Sequence, residues 1–85
     1  MEIKTKDADE ATFYWTQEGF ELVSTEIRKT KWKNVVWFVF SVDMDEDEFN
    51  EIHAKYLNGR MLVEPKLYAQ RRIDIKNIIR DNMMR

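Results

Sequence analysis

The sequence predicts one small α+β domain, ordered helix, β-hairpin, helix, helix, on three observations. A period-two stretch from Phe20 to Arg28 is followed closely by a β-branched and aromatic run from Trp32 to Ser41, the pattern of two strands that pair back through a short turn. Apolar residues recur at helical spacing ahead of that pair and in two separate stretches behind it. Across 85 residues no glycine-, proline- or serine-rich stretch offers a linker, so residues 1–85 are expected to share one core.

The first helix is expected after Thr5 or Asp7, either of which can cap it, with Ala8, Ala11, Tyr14 and Trp15 on one side at about 100° per residue. Gly19 is a natural stop for it. In the strand that follows, strict alternation puts Val23, Thr25 and Ile27 on one face and Leu22, Ser24 and Glu26 on the other. Glu2 to Lys4 can add a short strand ahead of the first helix.

Along Val35-Val36-Trp37-Phe38-Val39-Phe40 both faces are apolar, whereas a strand covered on one side alternates with polar residues. A cover for the second face is therefore expected, from helices on both sides or from a second copy of the chain. A small domain without disulfides gains from either, since it buries only about 60–65% of its unfolded surface. A homodimer is one expectation that follows.

The acidic run at Asp43 and 45–48 leads into a helix with Phe49, Ile52, His53, Tyr56 and Leu57 on one face, ended by Asn58-Gly59. Residues 60–63 read as a short extended link. Pro65 suits the first turn of a last helix reaching about Asn82, with Leu67, Tyr68, Ile75, Ile78 and Ile79 as its apolar stripe.

Composition narrows the function classes. Fourteen basic against 16 acidic residues give a net charge of −2, which disfavours a general nucleic-acid coat while leaving room for a local basic patch. The lack of cysteine fits a reducing cytoplasm. The opening Met1-Glu2-Ile3-Lys4 alternates charge and does not read as a secretion signal. The longest apolar run, Val35 to Phe40, is far short of the roughly 20 residues of a membrane-spanning helix.

No catalytic pattern is visible. His53 stands alone, with Phe49 and Asn50 at the upstream positions where a carboxylate partner would sit, and reads as a core-edge histidine bonded to backbone. Asp43, Asp45 and Asp47 have the opening spacing of a calcium loop, but Glu48 and Ala54 occupy the places of its glycine and its closing glutamate. An acidic run before a helix is explained by capping and the helix dipole. Two glycines cannot build a phosphate-cradling loop. The expectation is a protein that is not an enzyme and carries no cofactor or metal.

Two basic features remain. Arg28, Lys29, Lys31 and Lys33 surround Trp32 at the hairpin tip, a mix of charge and aromatic surface that suits a nucleic-acid or partner contact. The bland alternative is that lysines keep a hairpin tip soluble while Trp32 folds back onto the sheet. On the last helix Lys66, Arg72, Lys76 and Arg80 make a ridge opposite the apolar stripe, with Ile73 among them as a candidate anchor for a protein partner. Arg71 falls on the apolar side, where it needs a buried acid or carbonyl.

The order of these pieces resembles a family of short proteins of phages and other mobile elements, known as a domain of unknown function. The resemblance rests on Thr5-Lys6-Asp7 before the first helix, Ala11 and Gly19 within and after it, and Phe38-Val39-Phe40 in a strand. It continues with Tyr56 before Asn58-Gly59, then Val63-Glu64-Pro65 with Tyr68, and Lys76 on the closing helix. It spans nearly the whole chain and differs at Trp15, where an aliphatic residue is expected, and in an acidic run heavier than usual at Asp43 and 45–48. It implies an α+β fold and a phage-like origin, and transfers no functional residue. The leading expectation is a non-enzymatic binding protein acting on a host protein in a bacterial or archaeal cytoplasm. The alternatives are a nucleic-acid-associated regulator using the basic tip, or a structural protein acting through self-association.

Overall fold

The computed structural model describes residues 1–60 and 62–83, as a three-stranded antiparallel sheet with three helices. The elements are β1 (Glu2–Thr5), α1 (Ala8–Thr16), β2 (Phe20–Lys29), β3 (Asn34–Val42), α2 (Glu46–Leu57) and α3 (Pro65–Met83). Of the link expected at 60–63, Met61 lies outside the described residues. The strand order is β1-β3-β2, so the most apolar strand takes the centre and both its edges are paired.

Each helix begins on a carboxylate that satisfies otherwise unpaired amide groups. Asp7 accepts hydrogen bonds from the Asp9 and Glu10 amides at 2.9 and 3.1 Å. Asp45 accepts from Glu48 at 2.8 Å, and Glu64 from Lys66 and Leu67, with Pro65 in the first turn of α3. The acidic run thus supplies the cap of α2. Gly19, with φ +88°, turns the chain from α1 into β2 in a conformation L side chains rarely adopt, and a Cβ there would meet Met44 Cε at 3.2 Å.

The core lies between one sheet face and the helices. Val36, Phe38, Phe40 and Val42 of β3 join Ala11, Phe13 and Tyr14 of α1, Phe20 of β2 and Ile75 of α3 in one buried cluster. Tyr14 is its hub, with ring centroids of Phe20, Phe49 and Phe40 at 5.1, 5.8 and 6.1 Å. Because α1 is enclosed by the sheet, α2 and α3, four consecutive residues, Ala11 to Tyr14, are buried. That is a wider band than a single stripe. On α2, Leu57 is exposed and not part of the apolar face the sequence assigns it to, while Phe49, Ile52 and Tyr56 pack on the cluster.

Two expectations about the sheet are corrected. The register of β2 shifts between Leu22 and Ser24, so Val23 is an extra residue in a β-bulge. The insertion reverses the phase of the strand. Leu22 pairs with Phe40 on the core side together with Thr25 and Ile27, and Val23 is exposed. The second correction concerns the other face of β3, formed by Val35, Trp37 and Val39, none of which belongs to the core cluster. Among the described residues no helix packs on this face. Long charged side chains from β1 and β2 reach over it instead, as amphipathic stems do over apolar surface, so part of its cover comes from within the chain and not from a second helical layer.

Candidate binding surface

Antiparallel register decides which side chains share the helix-free face. Lys4 and Ser24 flank Val39, Glu26 flanks Trp37 and Arg28 flanks Val35. Lys4 Nζ reaches across β3 to Glu26 Oε1 at 2.9 Å, a bridge that crosses between Val39 and Trp37. Val39 is only 2% exposed as a result of this cover. The hydrogen bond from Lys4, and then its charge and that of Arg28, hold the Glu26 carboxyl below the ordinary glutamate value.

Trp37 is held between cations. The Arg28 guanidinium lies 4.5 Å from its ring centroid and Lys6 Nζ lies 5.8 Å away, both within cation–π range. Arg28 also reaches Glu26 at 3.5 Å. Lys4, Lys6 and Trp37 are thus part of the surface and were not singled out by the sequence. Their signal was present, in the odd positions of β3 and the even positions of β1, but it can be read only once β1 is known to pair with β3.

Beyond Trp37 the face runs onto the hairpin tip. Thr30 closes the turn with three hydrogen bonds: its amide and its hydroxyl donate to the Lys33 carbonyl at 2.8 and 2.7 Å, and its hydroxyl accepts from the Lys33 amide at 3.1 Å. Trp32 does not fold back onto the sheet. It is 85% exposed, with Lys31 Nζ 5.1 Å from its ring centroid. Among the described residues no carboxylate pairs with Lys29, Lys31 or Lys33. The five tip residues expected from sequence, Arg28, Lys29, Lys31, Trp32 and Lys33, are all exposed on one projection.

The ridge on α3 is also exposed at Lys66, Arg72, Ile73, Lys76 and Arg80, with Ile73 53% exposed. Ile79 and Met83 share a flank with Lys76 and Arg80 at helical spacing. They line a small groove of about 150 Å³ together with Lys6, Lys33, Asn34, Val35 and Val36. The C-terminal end of the ridge therefore adjoins the cationic end of the sheet, which sequence spacing alone could not place.

His53 is bonded to a side chain and not to backbone as expected: its Nδ1 lies 2.7 Å from the Tyr14 hydroxyl, and its ring stacks on Phe49 at 5.9 Å. Arg71 stacks on Trp15 at 4.2 Å and reaches Asp74 at 3.6 Å, so an aromatic face and a half-exposed carboxylate take the place of a buried acid. Among the described residues no group of three His, Asp or Glu side chains is arranged to hold a metal ion, and no helix is long and apolar enough to cross a membrane. No protein-family model, no curated protein and no solved structure matches the chain.

Proposed function

We propose that this chain is a non-enzymatic binding protein whose working surface is the helix-free sheet face and its hairpin tip. The observation that carries the reading is Trp32, 85% exposed beside Lys29, Lys31 and Lys33, which have no carboxylate partner within the described residues. An indole left in water at the end of a turn contributes nothing to the core, and aromatic residues beside arginine and lysine are what interfaces use as anchors. The phage-like resemblance belongs to the same proposal: a short protein that works by occupying another molecule in a bacterial or archaeal cytoplasm.

A second reading places a protein partner on α3, favoured by Ile73 standing 53% exposed between Arg72 and Lys76. Capture from a bacterial lysate separates the two. A double variant, Arg28→Glu with Lys33→Glu, is expected to lose whatever the wild type retains, while Ile73→Asp keeps it. The reverse pattern overturns the first reading and supports the second.

A further inference from the structure

Charge on this molecule is unevenly placed. From Leu22 to Val42 the single acidic residue is Glu26, and Lys4 and Arg28 neutralise it. Three further tip cations, Lys29, Lys31 and Lys33, and Lys6 beside Trp37 have no carboxylate partner among the described residues, so a net-acidic chain presents a cationic strip around the hairpin tip. A strip of one sign concentrates and steers ligands of the other, and the ligand is therefore anionic.

The aromatic groups narrow its class. Trp32 offers an open ring at the tip, and Trp37 lies further along the same projection beneath Arg28. An anionic phosphate or an acidic peptide needs no aromatic plane, whereas an unpaired nucleobase has a π-face to stack on one. Duplex bases keep those faces stacked on each other and offer none to an open indole. Cations already resting on the rings are poised for the same ligand: Lys31 can leave the Trp32 ring for a phosphate, and an arginine plane such as Arg28 can itself stack on a base.

We propose that the strip binds single-stranded nucleic acid, with Trp32 stacking a base and Arg28, Lys29, Lys31 and Lys33 meeting successive phosphates. The proposal rests on the reading of the helix-free face and tip as the working surface, and names its ligand.

The test is titration of the purified chain with fluorescein-labelled dT and U oligomers of about 12 nucleotides, a length within the range of one small binding domain. A duplex of equal length and polyglutamate serve as competitors. The expected result is binding that quenches tryptophan fluorescence, weakens with a log–log salt slope near −3 for about four phosphates, and drops roughly 10-fold in Trp32→Ala. Trp32 is exposed enough that its removal leaves the fold intact. Binding of neither oligomer at about 50 mM salt overturns the proposal. Equal competition by polyglutamate, or affinity unchanged in Trp32→Ala, overturns it too, because either means a strip that reads charge alone. If the oligomers fail while Arg28→Glu with Lys33→Glu still abolishes capture from lysate, the strand is wrong and the surface is right. If those charge reversals change nothing in either assay, both readings fall together.

Discussion

The Tyr14 hydroxyl, 2.7 Å from His53 Nδ1, ties α1 to α2 across the edge of the core. Tyr14 is 1% exposed, so its hydroxyl has little access to water and is satisfied by neighbouring side chains, with His53 at hydrogen-bond distance. Tyr14→Phe is expected to lower stability by about 1–2 kcal/mol, the cost of a lost buried hydrogen bond with one partner left behind. Urea unfolding followed by far-ultraviolet circular dichroism measures it, and an unchanged midpoint would refute the coupling.

The same tyrosine governs behaviour in alkali. Burial, then the hydrogen bond and charge of Glu10, push the Tyr14 phenol well above its ordinary value, and burial with nearby Asp7 and Glu10 pushes Tyr56 up to about 12. Both groups hold their protons more tightly folded than unfolded. Their contribution is fully present below the unfolded value of about 10 and is lost as pH rises through the folded values, because the unfolded chain then binds fewer protons. Stability should stay level to about pH 10 and fall beyond it. The fall should be shallower in Tyr14→Phe, where only the Tyr56 part remains, and equal slopes in the two proteins would contradict this origin.

How far the sequence could lead is clearest on β2 and β3. The order of elements was legible because hydrophobic period switches from helical to two and back, and Asp7, the acidic run and Pro65 mark the helix starts. The phase of β2 was not, because Leu22-Val23-Ser24 carries no glycine to signal a bulge, and one inserted residue exchanges the two faces of a strand. The apolar second face of β3 was visible as well, but its cover was sought in further elements. The stems of Lys4, Lys6 and Arg28 supply part of it locally, and a hydropathy pattern counts those residues only as polar. The tip was found because its cations and Trp32 are adjacent in sequence. Trp37 was missed because its partners meet it only through pairing: Arg28 across the hairpin and Lys6, some thirty residues upstream, just past β1.

Ile75 is the one residue of α3 that is fully enclosed, at 1% exposure, and it joins the aromatic cluster of α1 and β3. Removing three carbons there leaves a cavity that the rigid sheet cannot close. Ile75→Ala is expected to cost about 2–5 kcal/mol, a large part of what a domain of this size holds. Ile73→Ala, two positions away but 53% exposed, should change little. Thermal melts of the two variants side by side check the contrast, and similar losses would mean that α3 is turned differently.

Two glutamates should titrate in opposite directions. Glu26, bonded to Lys4 and near Arg28, is held below the ordinary value, whereas the charge of Asp45 raises Glu48. By linkage the Glu26 contribution exists above its unfolded value and is lost as acid is added, while Glu48 favours the folded state only as it takes up its proton. Both are exposed, so salt should shrink the two shifts. Carbon-detected NMR titration reads each midpoint, and Lys4→Met should return Glu26 toward its ordinary value while leaving Glu48 unmoved.

Arg71 poses a question of which part of an arginine matters. Its guanidinium lies 4.2 Å from the Trp15 ring and 3.6 Å from Asp74, which suggests a charge effect, yet its Nε is buried with no hydrogen-bond partner. An unsatisfied donor costs about 1–3 kcal/mol, more than a partly exposed ion pair returns, so the net charge contribution is small. The packing of the stem and flat head against Trp15, where α1 meets α3, is then the stabilising element. Arg71→Ala should lose about 1–2 kcal/mol through that packing, while Arg71→Met, which keeps the stem and removes the orphaned donor, should fall within about 0.5 kcal/mol of the wild type. Arg71→Lys should do no better than methionine, since an ammonium keeps the charge and lacks the plane. Chemical denaturation of the three variants decides the matter, and a lysine variant as stable as the wild type beside a weak methionine variant would show that charge governs the contact.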